Sequence, residues 1–160
     1  MLGQQLILYE EEFNQLTHIC ERLNIDANAK AIFLIDKNGQ LISNAGDVAE
    51  LDTTSLASLT AGNIAATGGL AQVLGEKEFG VLFHEGENLN VHITVVAEKA
   101  ILVVIFDNKT SLGLVRLRVK KAMTEMTKVF ETLAKKAPSG AADSPLSEIT
   151  DDDIDNLFND

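Results

Sequence analysis

The sequence contains very little cysteine and few cations, and both shortages narrow what it can be. Cys20 is the only cysteine in 160 residues, so neither an intrachain disulfide nor a cysteine-rich zinc cage can form. Basic residues number 13 against 24 acidic ones, giving a formal net charge of −11. That balance makes the chain a poor general binder of nucleic acid or of anionic membrane, because both need clustered Lys and Arg. No G-x-x-x-x-G-K-[ST] phosphate loop occurs, so the chain is not itself a GTPase of that class. The opening MLGQQLILYEEEF carries no basic stretch before its apolar residues, and a reducing cytoplasm is the expected compartment. What the chain does have is 46% hydrophobic residues and a mean hydropathy of +0.09, enough for one domain with a core.

Charge divides the chain into three blocks. Residues 1–110 hold 6 basic and 15 acidic side chains, residues 111–136 hold 7 and 2, and residues 137–160 hold none and 7. The stretch APSGAADSPLSE, from residue 137, has too few apolar residues to bury and reads as a linker. The expected organisation is a folded domain over 1–136, a flexible linker over 137–148 and an acidic amphipathic tail over 149–160.

Within the domain, Tyr9, Phe13, Leu16, Cys20 and Leu23 recur at helical spacing, with Glu10, Glu11 and Glu12 in the first turn where the helix dipole favours anions. Strands follow at 31–35 and 41–43, joined through the Asn38-Gly39 pair of a tight hairpin. Thr53 to Leu74 is helical in pattern. FGVLFHEG, NLNVHITVVA and AILVVIFD read as three strands, and Ser111 to Lys136 as a long closing helix. The order is α-β-β-α-β-β-β-α. AIFLI and AILVVIF are apolar on both faces, so the antiparallel sheet must be covered on both sides. The expected fold is a three-layer α/β/α sandwich, with the first and third helices on one side and the second on the other.

The second helix is unusual because the 23 residues between Asp52 and Glu76 carry no charge. Four Thr, two Ser, four Gly, Asn63 and Gln72 make the run too polar for a membrane span. A helical wheel sends Leu56, Leu59, Leu70, Val73 and Leu74 toward the sheet. The opposite face then holds Thr54, Ser58, Ala61, Ala65, Gly68 and Gln72, where a solvated helix should hold Lys and Glu. Helix-interior Gly costs about 0.8–1 kcal/mol relative to Ala, a cost more easily tolerated where another backbone comes close. This face is either covered in a homodimer or is a docking platform, and the two readings are compatible.

The element order, the apolar strand before Lys37-Asn38-Gly39 and the uncharged second helix resemble the roadblock/LC7 domain family. LILYEEEF (6–13), DANAKAIFLIDKNGQLIS (26–43), DTTSLASLTAGNIAATGGLA (52–71), VVIFDNKTSLGLVRLRVKKA (103–122) and ITDDDIDNLF (149–158) extend the resemblance, to bacterial members, over essentially the whole chain. The resemblance implies a homodimeric regulator that pairs its second helices and an edge strand. It implies that the paired helices act as the platform for a Ras-like small GTPase, as a GTPase-activating protein controlling cell polarity and gliding motility at a cell pole. It also implies that the GTPase uses its own Arg. That agrees with the absence of any Arg from the uncharged helix: Arg22 lies in the first helix, and Arg116 and Arg118 in the last. The other reading is a non-activating roadblock scaffold that tethers a GTPase or signalling complex.

The tail has its own pattern. Thr150 can cap a helix whose first turn is Asp151, Asp152 and Asp153, with Ile149 and Ile154 placed as a hydrophobic staple. Ile154, Leu157 and Phe158 line one face, and so short a helix is expected to fold only on docking. Its receptor is either the GTPase, where it would modulate affinity or nucleotide exchange, or the basic last helix of its own dimer at Arg116, Arg118, Lys120 and Lys121. No catalytic residue, cofactor or metal is expected. His84 and His92 fall on adjacent strands but lack a third ligand, and Cys20 reads as core.

Overall fold

The structure, a computed structural model, describes residues 9–142. Helix α1 spans Glu10–Asp26, strands β1 and β2 span Ala31–Asp36 and Leu41–Gly46, and helix α2 spans Thr53–Leu74. Strands β3, β4 and β5 follow at Val81–Glu85, Asn90–Val96 and Ala100–Phe106, and helix α3 spans Leu112–Ala142. The element order is the one expected. The sequence pattern predicts a last helix ending at Lys136, whereas α3 continues to Ala142, into the segment expected as linker, whose Ala residues are strong helix formers. The tail residues Ile149, Ile154, Leu157 and Phe158 lie outside the described residues.

The five strands form one antiparallel sheet in the order β2-β1-β5-β4-β3. β1 and β5, fully buried along their length, are both flanked by other strands, which accounts for their lack of polar alternation. Ile32, Leu34, Leu102 and Val104 face α1 and α3 and pack with Leu16, Cys20, Val115, Val119 and Met126. Alternate residues Phe33, Ile35, Ile101 and Val103 face the other way, under Ala57 and with Leu56, Ala61 and Ile64 of α2 packed against them. These two cores define the three-layer sandwich.

Asp36 closes the β1–β2 hairpin: its Oδ1 accepts from the Asn38 and Gln40 amides, both at 2.9 Å, and Gly39 takes φ +92°. The first helix departs from its expected stripe. Tyr9 and Phe13 remain more than a third exposed, while Glu12 is buried beneath Lys136, to which it is ion-paired and hydrogen-bonded. The inward row is Glu12, Leu16, Ile19, Cys20 and Leu23, because α3 supplies a cation above the first turn.

Candidate partner-binding face on the second helix

Asp52 caps α2, its Oδ1 accepting from the Ser55 amide at 3.1 Å, and Gly75 ends it in the left-handed region at φ +79°. Between these stops the helix lies on the sheet through small residues. Ala57, Thr60 and Ala71 are buried, and Leu56, Ala61 and Ile64 are half-buried over the sheet. The β1–β2 turn comes equally close. A Cβ at Gly39 would stand 3.3 Å from Ser58 Cα and 3.5 Å from Ala61 Cβ.

This overturns the wheel assignment. Of the residues expected to face the sheet, only Leu56 does so in part. Leu59 is 74% exposed, Leu70 54%, Val73 83% and Leu74 62%. The physical reason is the short distance between helix and sheet, which admits Ala and Thr and leaves the large side chains outside. The expected platform is divided as well. Ala61 and Gly68 turn partly inward, while Thr54, Ser58, Ala65 and Gln72 are exposed and run along one flank of the helix. Beside that flank, Leu59, Gly62, Ala66, Leu70 and Val73 form an outward apolar row. Side chains at Gly62, Gly68 and Gly69 would meet nothing within 4 Å, so no contact among the described residues requires glycine there.

Strand β3 borders this face. Asn63 of α2 and His84 of β3 are hydrogen-bonded, Nδ2 to Nε2, at 3.1 Å. β3 pairs with β4 on one side and stands at the edge of the sheet, with Val81 half-exposed. An unpaired strand edge next to an apolar helix row is a surface that favours association.

The other singled-out residues lie elsewhere. His84 pairs with Val91, and Phe83 with His92, so the two imidazoles project from opposite faces of the sheet and do not converge. His92 is buried beside Thr94 on the α1/α3 side, and burial together with the Arg116 charge lowers its pKa. Burial pushes the Cys20 thiol up to about 12, far from a thiolate nucleophile. Among the described residues, no three His, Cys, Asp or Glu side chains gather as a metal site, and no helix is long and apolar enough to cross a membrane.

All three arginines of the chain sit in the α1/α3 layer, across the sheet from α2. Arg22 is ion-paired to Glu125. Arg118 is half-buried at a shallow groove between the two helices, and Arg116, Lys120 and Lys121 are exposed on α3. Sequence reasoning had missed three features: the outward leucine and valine row, the buried Glu12 and the exposed Leu117 beside the basic residues. A wheel read against the close helix–sheet contact would have found the first.

An α-β-β-α-β-β-β-α sandwich with an uncharged central helix defines a class of protein, and the chain belongs to it: the Roadblock/LC7 domain model matches residues 16–106. Among solved structures it is similar to Myxococcus xanthus MglB, with 62% identity and a TM-score of 0.76 over 80% of this chain and 96% of that one. It is also similar to the gliding protein MglB of Thermus thermophilus, with 31% identity and a TM-score of 0.74 over 79% and 96% of the two chains. A further MglB, solved in a tetrameric arrangement, matches with 30% identity and a TM-score of 0.74 over 80% and 96%. Comparison with curated proteins finds no match.

Proposed function

We propose that this chain is a homodimeric activator of an MglA-like small GTPase, acting in cell polarity and gliding motility without an arginine finger of its own. The observation that carries the proposal is the surface of α2: an outward apolar row beside a flank of small neutral residues, with no charge along 22 residues. The apolar row of Leu59, Leu70 and Val73, continued by the β3 edge, suits a second copy of the chain. The flank of Thr54, Ser58, Ala65 and Gln72 then stays open at the rim of the paired helices, flat enough for a third protein to approach closely. The likeness to MglB structures supports the choice of a GTPase partner.

Such a surface has no cationic side chain to place on a γ-phosphate. Its effect on hydrolysis must come from binding one conformation of the GTPase better than another, so that the partner's own Arg and water-orienting groups are brought into line. Each tenfold gain in the competent population requires about 1.4 kcal/mol of differential binding. The acidic tail supplies a second contact with the GTPase that tunes affinity or nucleotide exchange. The site of action is the cytoplasm, with enrichment at a cell pole.

Single-turnover GTP hydrolysis by the partner GTPase tests the proposal. Addition of this protein should accelerate hydrolysis, and Ala65→Arg should abolish the acceleration while remaining dimeric in sedimentation. Binding of the wild-type protein with no change in rate would overturn the activator reading and leave a tethering scaffold.

A further inference from the structure

The first half of α3 carries a surface that the proposed function does not use. Arg116, Lys120 and Lys121 are exposed and form no ion pair among the described residues, although acids outnumber bases nearly two to one in the whole chain. The acid that α3 offers nearby, Glu125, is taken by Arg22. Asp26 of α1 and Lys121 line the same shallow groove, which leaves the cations in clear excess there. Two large apolar side chains stand in water at this end of the helix pair: Leu117, 61% exposed, and Ile25, 77% exposed. The surface therefore fits an acidic segment that also presents apolar side chains.

The chain contains one such segment. Residues 149–160 hold five Asp and no base, with Ile154, Leu157 and Phe158 spaced for one face of a helix. We infer that this segment docks along the outer face of α3 of its own chain. Leu117 stands about 38 Å back along α3 from Ala142 at the helical rise. An extended linker followed by a helix from Thr150 spans about 36 Å by Leu157. That length brings Leu157 and Phe158 to Leu117 and lays Asp151 to Asp155 along Lys121 and Lys120. Tethering supplies an effective concentration in the millimolar range, so individually weak surface pairs suffice to populate the docked form.

The docked tail is on the far side of the sheet from α2 and is withheld from a GTPase seated there. This consequence, unlike the docking itself, rests on the proposed function.

The test uses the full chain with Asp160→Cys carrying a nitroxide label, since Cys20 is buried and protonated and does not compete for the reagent. Amide signals of Leu117 to Lys121 and of Ile25 should broaden in the NMR spectrum of the free protein. Broadening should vanish in Lys120→Glu/Lys121→Glu, in Leu157→Ser/Phe158→Ser and at about 0.5 M salt, where the Debye length is only a few ångströms. Broadening centred on α2 or β3, or none in the wild-type chain, overturns the inference. With the GTPase added, the charge reversal should raise apparent affinity about 2- to 10-fold by freeing the tail, and truncation after residue 148 should lower it. If the reversal abolishes broadening yet leaves affinity unchanged, docking stands and the tail's proposed contact with the GTPase falls.

Discussion

Glu12 combines charge and burial more completely than any other described residue. Its side chain is almost inaccessible, yet Lys136, contributed from 124 positions away and itself under the Tyr9 ring, holds it as a carboxylate. The hydrogen bond from Lys136 lowers the Glu12 pKa, and the same bond raises that of Lys136. A lowered carboxylate contributes stability that is present above its unfolded pKa and lost as pH falls through the folded value. The raised ammonium contributes below its unfolded pKa and is lost as pH rises through its folded value. Glu12→Gln should therefore melt below wild type at pH 7, and the difference should close as pH drops below the ordinary carboxylate range. Thermal denaturation followed by circular dichroism at a series of pH values checks this, and a constant difference down to about pH 2 would contradict it. Helical spacing alone gave no reason to bury Glu12, because its partner is non-local. Backbone strain sits in the β4–β5 turn, where Ala97 and Glu98 take φ +53° and +58°. Left-handed backbone costs an L-residue about 1–2 kcal/mol, so Glu98→Gly should raise stability to urea by about that amount.

Among the elements, α3 and the body of α1 from Leu16 to Leu23 were legible because each has an apolar stripe set against a charged back, whereas the first turn of α1 was not, since Lys136 turns Glu12 inward. α2 has no charged back. Its length and caps could be read, but its rotation on the sheet could not. That rotation depends on how near the sheet stands, a property set by Gly39, Ala57 and Ala71 together. Large apolar residues then faced outward, against the usual expectation. Two substitutions separate the two faces. Ala71→Leu forces a larger side chain into the helix–sheet contact and should destabilise the fold by about 1–3 kcal/mol in urea denaturation. Val73→Asp touches nothing within the protomer's core, so it should convert a dimer to monomer in sedimentation while leaving monomer unfolding nearly unchanged.

At the scale of the molecule, local patterns carried the three layers but not the full strand order. Hairpin connections predict that β1 pairs with β2, β3 with β4, and β4 with β5. The β1–β5 pairing that joins the two groups has no local signature and follows from burying two wholly apolar strands side by side. With that pairing made, α2 lies alone on one side of the sheet and every arginine lies on the other. This separation is the physical basis for the proposal that the chain accelerates GTP hydrolysis with no arginine of its own at the reacting phosphate. The most direct test replaces all three arginines, as Arg22→Lys/Arg116→Lys/Arg118→Lys, and measures single-turnover hydrolysis by the partner GTPase at saturating activator. Acceleration should remain within about threefold of wild type. A supplied arginine finger contributes about 10³- to 10⁵-fold, and a loss of that size in a variant that still folds and binds would contradict the account.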